Sequence, residues 1–99
     1  MSKIIPSGGN VFEDLGFSKE EAENLKMRSA LMTILRGILE EDGLTQARAA
    51  QMFGVTQPRI SDLVRGKIEL FSIDALVNMI AASGRRVEVT VVPRKDEAA

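Results

Sequence analysis

At 99 residues the chain is long enough for one domain with a modest core and too short for two. With 44% hydrophobic residues but four Phe, no Trp and no Tyr, that core has to be aliphatic; without Cys or His there is no disulfide framework, no thiolate chemistry and no imidazole for a metal or a general base. A net charge of −1 and a pI near 5.4 are far from the basic balance typical of nucleic-acid-binding domains.

The charge is unevenly spread, however. Between Leu44 and Lys67, Arg48, Arg59, Arg65 and Lys67 against Asp62 leave +3, whereas between Asn10 and Asn24 five acids against Lys19 leave −4. Attraction to phosphate depends on the local field, so a basic face can work on an acidic protein, with modest affinity for a single chain. No apolar run approaches membrane-span length and the first residues lack the pattern of a signal peptide, so the expected location is cytoplasmic.

Residues 1–9, with Pro6 and a Ser-Gly-Gly run, read as a flexible leader. Asn10 and Glu13 have cap-to-acid spacing, which predicts a one-turn helix bringing Val11, Phe12 and Leu15 to the core before Gly16. Ser18-Lys-Glu-Glu21 repeats that signature and opens a long helix to about Asp42, stopped by Gly43. Ala22, Leu25, Met32, Leu35 and Leu39 form its apolar stripe, widened by Leu31, Ile34 and Ile38. Such a face is core along its length, unless its N-terminal part around Leu25 and Met27 meets a partner protein.

The stretch from Leu44 to Lys67 is the most informative. Thr45 can cap a helix from Gln46 whose Ala49, Ala50 and Phe53 share one face, and Gly54 ends it in a left-handed turn. Val55 plugs the corner, Thr56 caps a second, short helix with Pro58 in its first turn, and Ile60, Leu63 and Val64 form its buried face before Gly66. A small residue at Ala50, where the helices cross, and a turn-former four positions later are what a helix-turn-helix requires, with the second helix laid in a DNA major groove. Ile68, Leu70 and Phe71 then pack beneath the motif, and Ser72 caps a helix buried through Ile73, Leu76, Val77 and Ile80 and closed by Gly84. Arg85 and Arg86 precede Val87-Glu-Val-Thr-Val-Val92, an alternating run ended by Pro93. It has no strand partner in the sequence, so the expectation is antiparallel pairing across a dimer axis, with Val87, Val89 and Val91 covering the helices.

The motif resembles that of the lambda-repressor and Cro-like (XRE-type) regulators, at Gln46, Ala50, Gly54, Val55, Ile60, Leu63 and Gly66-Lys67. The expected fold is mainly α: a five-helix lambda-repressor-like DNA-binding domain over 10–84, motif 45–66, then a dimerisation strand at 85–93 and a disordered tail at 94–99. On the second motif helix, 100° per residue turns Pro58, Ser61, Asp62 and Arg65 away from Ile60, Leu63 and Val64, with Gln57 and Arg59 at the flanks. The resemblance places base contacts at Gln57, Arg59, Ser61 and Asp62, and the chemistry agrees. Gln pairs with adenine, Arg with guanine, Asp accepts from cytosine N4, and Pro58 can touch a thymine methyl. Gln46 and Thr56 are assigned to phosphates by resemblance, and Arg48, Arg65 and Lys67 by charge. Two departures stand out: Asp62 where related sequences often carry a basic or amide side chain, and Pro58, which lacks a donor.

Together with the acidic N-V-F-E-D-L-G-F-S-K-E-E-A segment and G-R-R-V-E-V-T-V, the layout looks like the HigA-like antitoxins of type II toxin-antitoxin systems. That resemblance implies a homodimeric autorepressor of a palindromic operator in double-stranded DNA that also binds a RelE- or HigB-like ribonuclease toxin, with no cofactor. Two other readings compete. One is a stand-alone XRE-type regulator without a toxin, which the adjacent gene would distinguish; the other is a protein-interaction module that has lost DNA binding. An enzyme is not expected, because the carboxylates are scattered, no phosphate-cradling glycine loop occurs, and Ser83 lacks a nucleophile context.

Overall fold

The computed structural model describes residues 10–94. The expected leader, 1–9, and the expected tail beyond Arg94 lie outside the described residues. Five α-helices are described: α1 (Val11–Asp14), α2 (Lys19–Glu41), α3 (Gln46–Phe53), α4 (Gln57–Val64) and α5 (Ile73–Ala82), with a 3-10 turn at Ile68–Leu70 between the last two.

The helix boundaries follow from local chemistry. Ser18 makes a reciprocal capping box with Glu21, Thr45 accepts from the Arg48 N–H, and Ser72 accepts from the Ala75 N–H, each at an extended backbone position before its helix. At the start of α5, Ser72 and then backbone N–H groups hold the exposed Asp74 carboxyl below its ordinary pKa, so that small favourable term fades as acid protonates the group. Gly54 ends α3 at φ 72°, and the Val55 N–H reaches back to the Ala50 carbonyl at 3.0 Å.

One apolar core joins α2, α3, α4, α5 and the segment ahead of α5. Leu35, Phe53, Ile60, Leu63, Phe71 and Leu76 are its largest fully enclosed side chains, with Leu31, Met32, Ile38, Ala49, Ala50, Met79 and Ile80 around them. No polar or charged residue is buried among the described residues, so the core rests on apolar area and close packing. Ala49 and Ala50 let α3 lie against its neighbours.

Several sequence expectations need correcting. Helix α1 buries no residue: Val11 and Leu15 are 61% and 69% exposed, and only Phe12 is half-buried, its ring edge-on to Phe17. A one-turn helix has too little surface to enclose three side chains. It is tied down instead by the Asn10 amide, which donates to the Ala22 carbonyl at 3.0 Å. Ile34 and Val64 are exposed, because the apolar faces of α2 and α4 are wider than their neighbours cover; Val64 lines an open groove with Thr33, Arg36, Gly37, Leu39 and Glu40. Leu70 is exposed where Phe71 fills the space beneath the motif, and Met79 joins the α5 face.

The expected strand at 85–93 does not form within the described chain, because no neighbouring segment offers backbone groups to pair with. Residues 85–94 run as an irregular arm. Val87 is half-buried against the core, while Val89, Val91 and Val92 stand 78%, 89% and 70% exposed, and Arg86 meets Glu88 at 3.0 Å on the open surface. Arg94, assigned to the tail, lies 3.7 Å from Glu13 and brings the arm back to α1.

The left-handed corner yields a direct test. Gly54→Val leaves room for the new Cβ, whose nearest neighbour is Ala82 at 3.7 Å, yet it forces a β-branched residue into positive φ. Chemical denaturation should register a loss of about 1–3 kcal/mol.

Candidate nucleic-acid interface

Helix α4 is eight residues long and uses its surface in three ways. Ile60 and Leu63 anchor it in the core. Its outward side carries Gln57, Pro58 and Arg65 exposed, with Ser61 and Asp62 half-buried; i to i+4 spacing sets Gln57, Ser61 and Arg65 in one row and Pro58 beside Asp62 in the next. The remaining edge carries Arg59, which faces the connector between α4 and α5.

The corner before α4 is open. Thr56 has the extended backbone of an N-cap, but its side chain makes no capping hydrogen bond, unlike Ser18, Thr45 and Ser72 at their own helices; the expected side-chain cap is absent. Pro58 in the first turn removes one N–H that would otherwise need a partner. An exposed Thr hydroxyl and the first-turn N–H groups at the positive end of a helix together form a surface suited to a phosphate oxygen. Gln46 and Arg48 are exposed at the start of α3, so α3 and α4 each open with polar side chains in solvent.

Beyond α4 the backbone is closely fastened. Gly66 takes φ 73°, and the Lys67 N–H donates to the Asp62 carbonyl at 3.1 Å, so the chain carrying Arg65 and Lys67 turns tightly off the helix. Arg65 is exposed and Lys67 half-buried. Arg59 is placed differently from the other candidates: its guanidinium donates to the Leu70 carbonyl at 2.8 Å and lies 4.1 Å over the Phe71 ring.

The expected site residues thus fall into two groups. Gln46, Arg48, Thr56, Gln57, Pro58, Arg59, Ser61, Asp62, Arg65 and Lys67 all belong to the motif and its exit, while Val87, Val89 and Val91 lie on the separate arm. One contributor escaped the sequence reading. Arg28 on α2 donates to the carbonyls of Ile68 and Phe71, both at 3.3 Å, and no local pattern announces a contact spanning forty residues.

Residues 11–92 match a family model described as a helix-turn-helix domain. The chain belongs to this helix-turn-helix family. It is 29% identical over 91 residues to a protein of Haemophilus influenzae (strain ATCC 51907 / DSM 11121 / KW20 / Rd) described as an uncharacterized HTH-type transcriptional regulator, covering 90% of this chain and 92% of that one. Among solved structures it resembles one described as an XRE-family transcriptional regulator, with a TM-score of 0.70 and 29% identity over 80% of this chain and 89% of the other. It also resembles a chain of a toxin-antitoxin module from Streptococcus pneumoniae, with a TM-score of 0.57 and 31% identity over 89% and 97% of the two chains. Both the Haemophilus influenzae protein and the first of these structures are described as transcriptional regulators. Among the described residues no helix is long and apolar enough to cross a membrane.

The two threonines that precede α3 and α4 should separate by experiment. Thr45→Ala removes a formed cap and should lower stability by about 1 kcal/mol in thermal or chemical unfolding. Thr56→Ala has no cap bond to lose, so its effect on stability should be clearly smaller.

Proposed function

We propose that this helix-turn-helix protein is a sequence-specific repressor that binds a palindromic operator as a homodimer and serves as the antitoxin of a cognate ribonuclease toxin. The observation that carries the DNA-binding reading is the outward side of α4, where Gln57, Pro58, Ser61 and Asp62 project from a helix held by Ile60 and Leu63. In this reading Gln57 pairs with an adenine edge, Asp62 accepts from cytosine N4, Ser61 hydrogen-bonds a base and Pro58 contacts a thymine methyl. Gln46, Arg48, Thr56, Arg65 and Lys67 hold phosphates and set the register of the duplex.

Dimerisation is supported by the arm. Val89 and Val91 alternate on it and are almost wholly exposed, with backbone free to pair with the same segment of a second chain. A dimer doubles the number of phosphate contacts, which matters for a chain whose net charge is −1.

The antitoxin role is supported by likeness to a chain of a toxin-antitoxin module and by the composition of the α1 end. There, exposed Val11, Leu15, Phe17 and Met27 lie among Glu13, Asp14, Glu20, Glu21 and Glu23, a mixture of apolar and acidic surface suited to a basic RNA-cleaving partner. Co-purification of the untagged protein with the product of its adjacent gene decides between this role and that of a regulator without a toxin.

Operator binding by fluorescence anisotropy at stated salt tests the core of the proposal. Gln57→Ala should weaken binding to the operator by about 1–3 kcal/mol and relax preference at one base pair per half-site; an unaltered preference at every position would remove Gln57 from base reading. Deleting 85–99 should yield monomers by sedimentation or light scattering, and a dimer that survives the deletion would refute pairing through the arm.

A further inference from the structure

The connector between α4 and α5 is gripped from two sides by guanidinium groups. Arg59 reaches it from α4, donating to the Leu70 carbonyl at 2.8 Å while its charge lies 4.1 Å over Phe71, itself only 1% exposed. Arg28 reaches it from α2, donating at 3.3 Å to the carbonyls of both Ile68 and Phe71, while its Nε donates to Asn24 at 2.7 Å. The near end of the same segment is fixed to α4 by the Gly66 and Lys67 N–H groups, which donate to Leu63 and Asp62 at 3.0 and 3.1 Å. Lys67 therefore opens a short bridge fastened at both ends, and Arg65, the C-cap of α4, stands two residues before it.

We infer that Arg59 is a positioning residue, which together with Arg28 latches the 67–71 connector to α2 and α4 and so fixes Arg65 and Lys67 for phosphate binding, rather than a side chain that reads a base. The inference rests on the DNA-binding reading of α4 for its consequence, and on the two arginines for its geometry. Three physical points support it. A guanidinium seated on an enclosed aromatic ring and bonded to a backbone carbonyl gives up both interactions if it swings toward a duplex. Its planar fork suits a stacked, hydrogen-bonded post, which a lysine ammonium matches poorly. Finally, Arg59 occupies the edge of α4 nearest the connector, away from the row of Gln57, Ser61 and Arg65.

The latch is tested first without DNA. In Arg59→Met, which keeps an apolar stem over Phe71, and in Arg28→Ala, amide hydrogen exchange at residues 67–71 should quicken about tenfold while α3 and α5 keep their protection. Unchanged exchange at 67–71 in both variants overturns the latch, whatever the DNA result. The second arm uses an operator duplex and a set of single-base-pair variants of it. Arg59→Met and Arg28→Ala should weaken all of them by a similar factor, about three- to tenfold, leave their ranking intact and lower the salt slope by about 1. Combining either with Lys67→Ala should cost less than the product of the separate losses, because the same phosphate contact is being lost twice. Loss of discrimination at one base pair in Arg59→Met, with Arg28→Ala binding as the parent does, would make Arg59 a base reader and overturn the inference. Should the parent protein bind every duplex alike, the DNA-binding proposal fails, and the exchange measurement still decides the latch.

Discussion

The left-handed corner at Gly54 is the constraint on which the rest of the structure depends. Once the Val55 N–H is bonded to the Ala50 carbonyl, α3 can no longer continue, and the chain leaves it in one direction. Ile60 and Leu63 then drop into the core formed by α2 and α5, and the opposite side of α4 has nowhere to go but outward. The same small residues serve both ends of this argument. Ala49 and Ala50 allow close approach of the helices, and the close approach makes the direction of α4 a property of packing rather than of a flexible loop.

A core without buried polar groups has few ways to specify the position of an irregular segment, since apolar contacts are tolerant of sliding. The connector between α4 and α5 is such a segment. It is held by hydrogen bonds whose geometry is directional, supplied by two arginines at its edge, and by Phe71 inserted beneath it. Helices are thus placed by aliphatic burial and the exit of α4 by charged side chains on backbone carbonyls. In a chain without Trp or Tyr, Phe53 and Phe71 are the two aromatic anchors, one under the corner and one under the connector.

What could be read in advance follows from the range of each interaction. Caps at Ser18, Thr45 and Ser72 and the stops at Gly43, Gly54 and Gly66 act within a few residues, so the helix bounds were legible from the chain alone. The outward direction of Pro58, Ser61, Asp62 and Arg65, with Gln57 at the flank, was equally legible, since Ile60 and Leu63 fix the inward one. Thr56 departs from its expected cap because a capping residue type in a capping position need not form the bond. Val64 and Ile34 lie exposed against expectation because periodicity marks an apolar face but not how much of it a neighbouring helix covers. The partners of Arg28 and Arg59 were illegible for a different reason: each depends on where α2 and the connector meet, across separations of forty and eleven residues.

The arm illustrates a further limit, set by composition. Alternating valines from 87 to 91 carry a strong strand preference, but a strand is a relation between two segments, and within the described chain the second is missing. Val87 satisfies itself against the core; Val89 and Val91 do not. On the proposed dimerisation, a second copy would answer two features of the chain at once, a surplus of exposed valine and a weak overall charge for holding DNA. The arm itself does not hang free at its far end: Arg94, 3.7 Å from Glu13, returns it to α1, where acidic side chains meet a basic one.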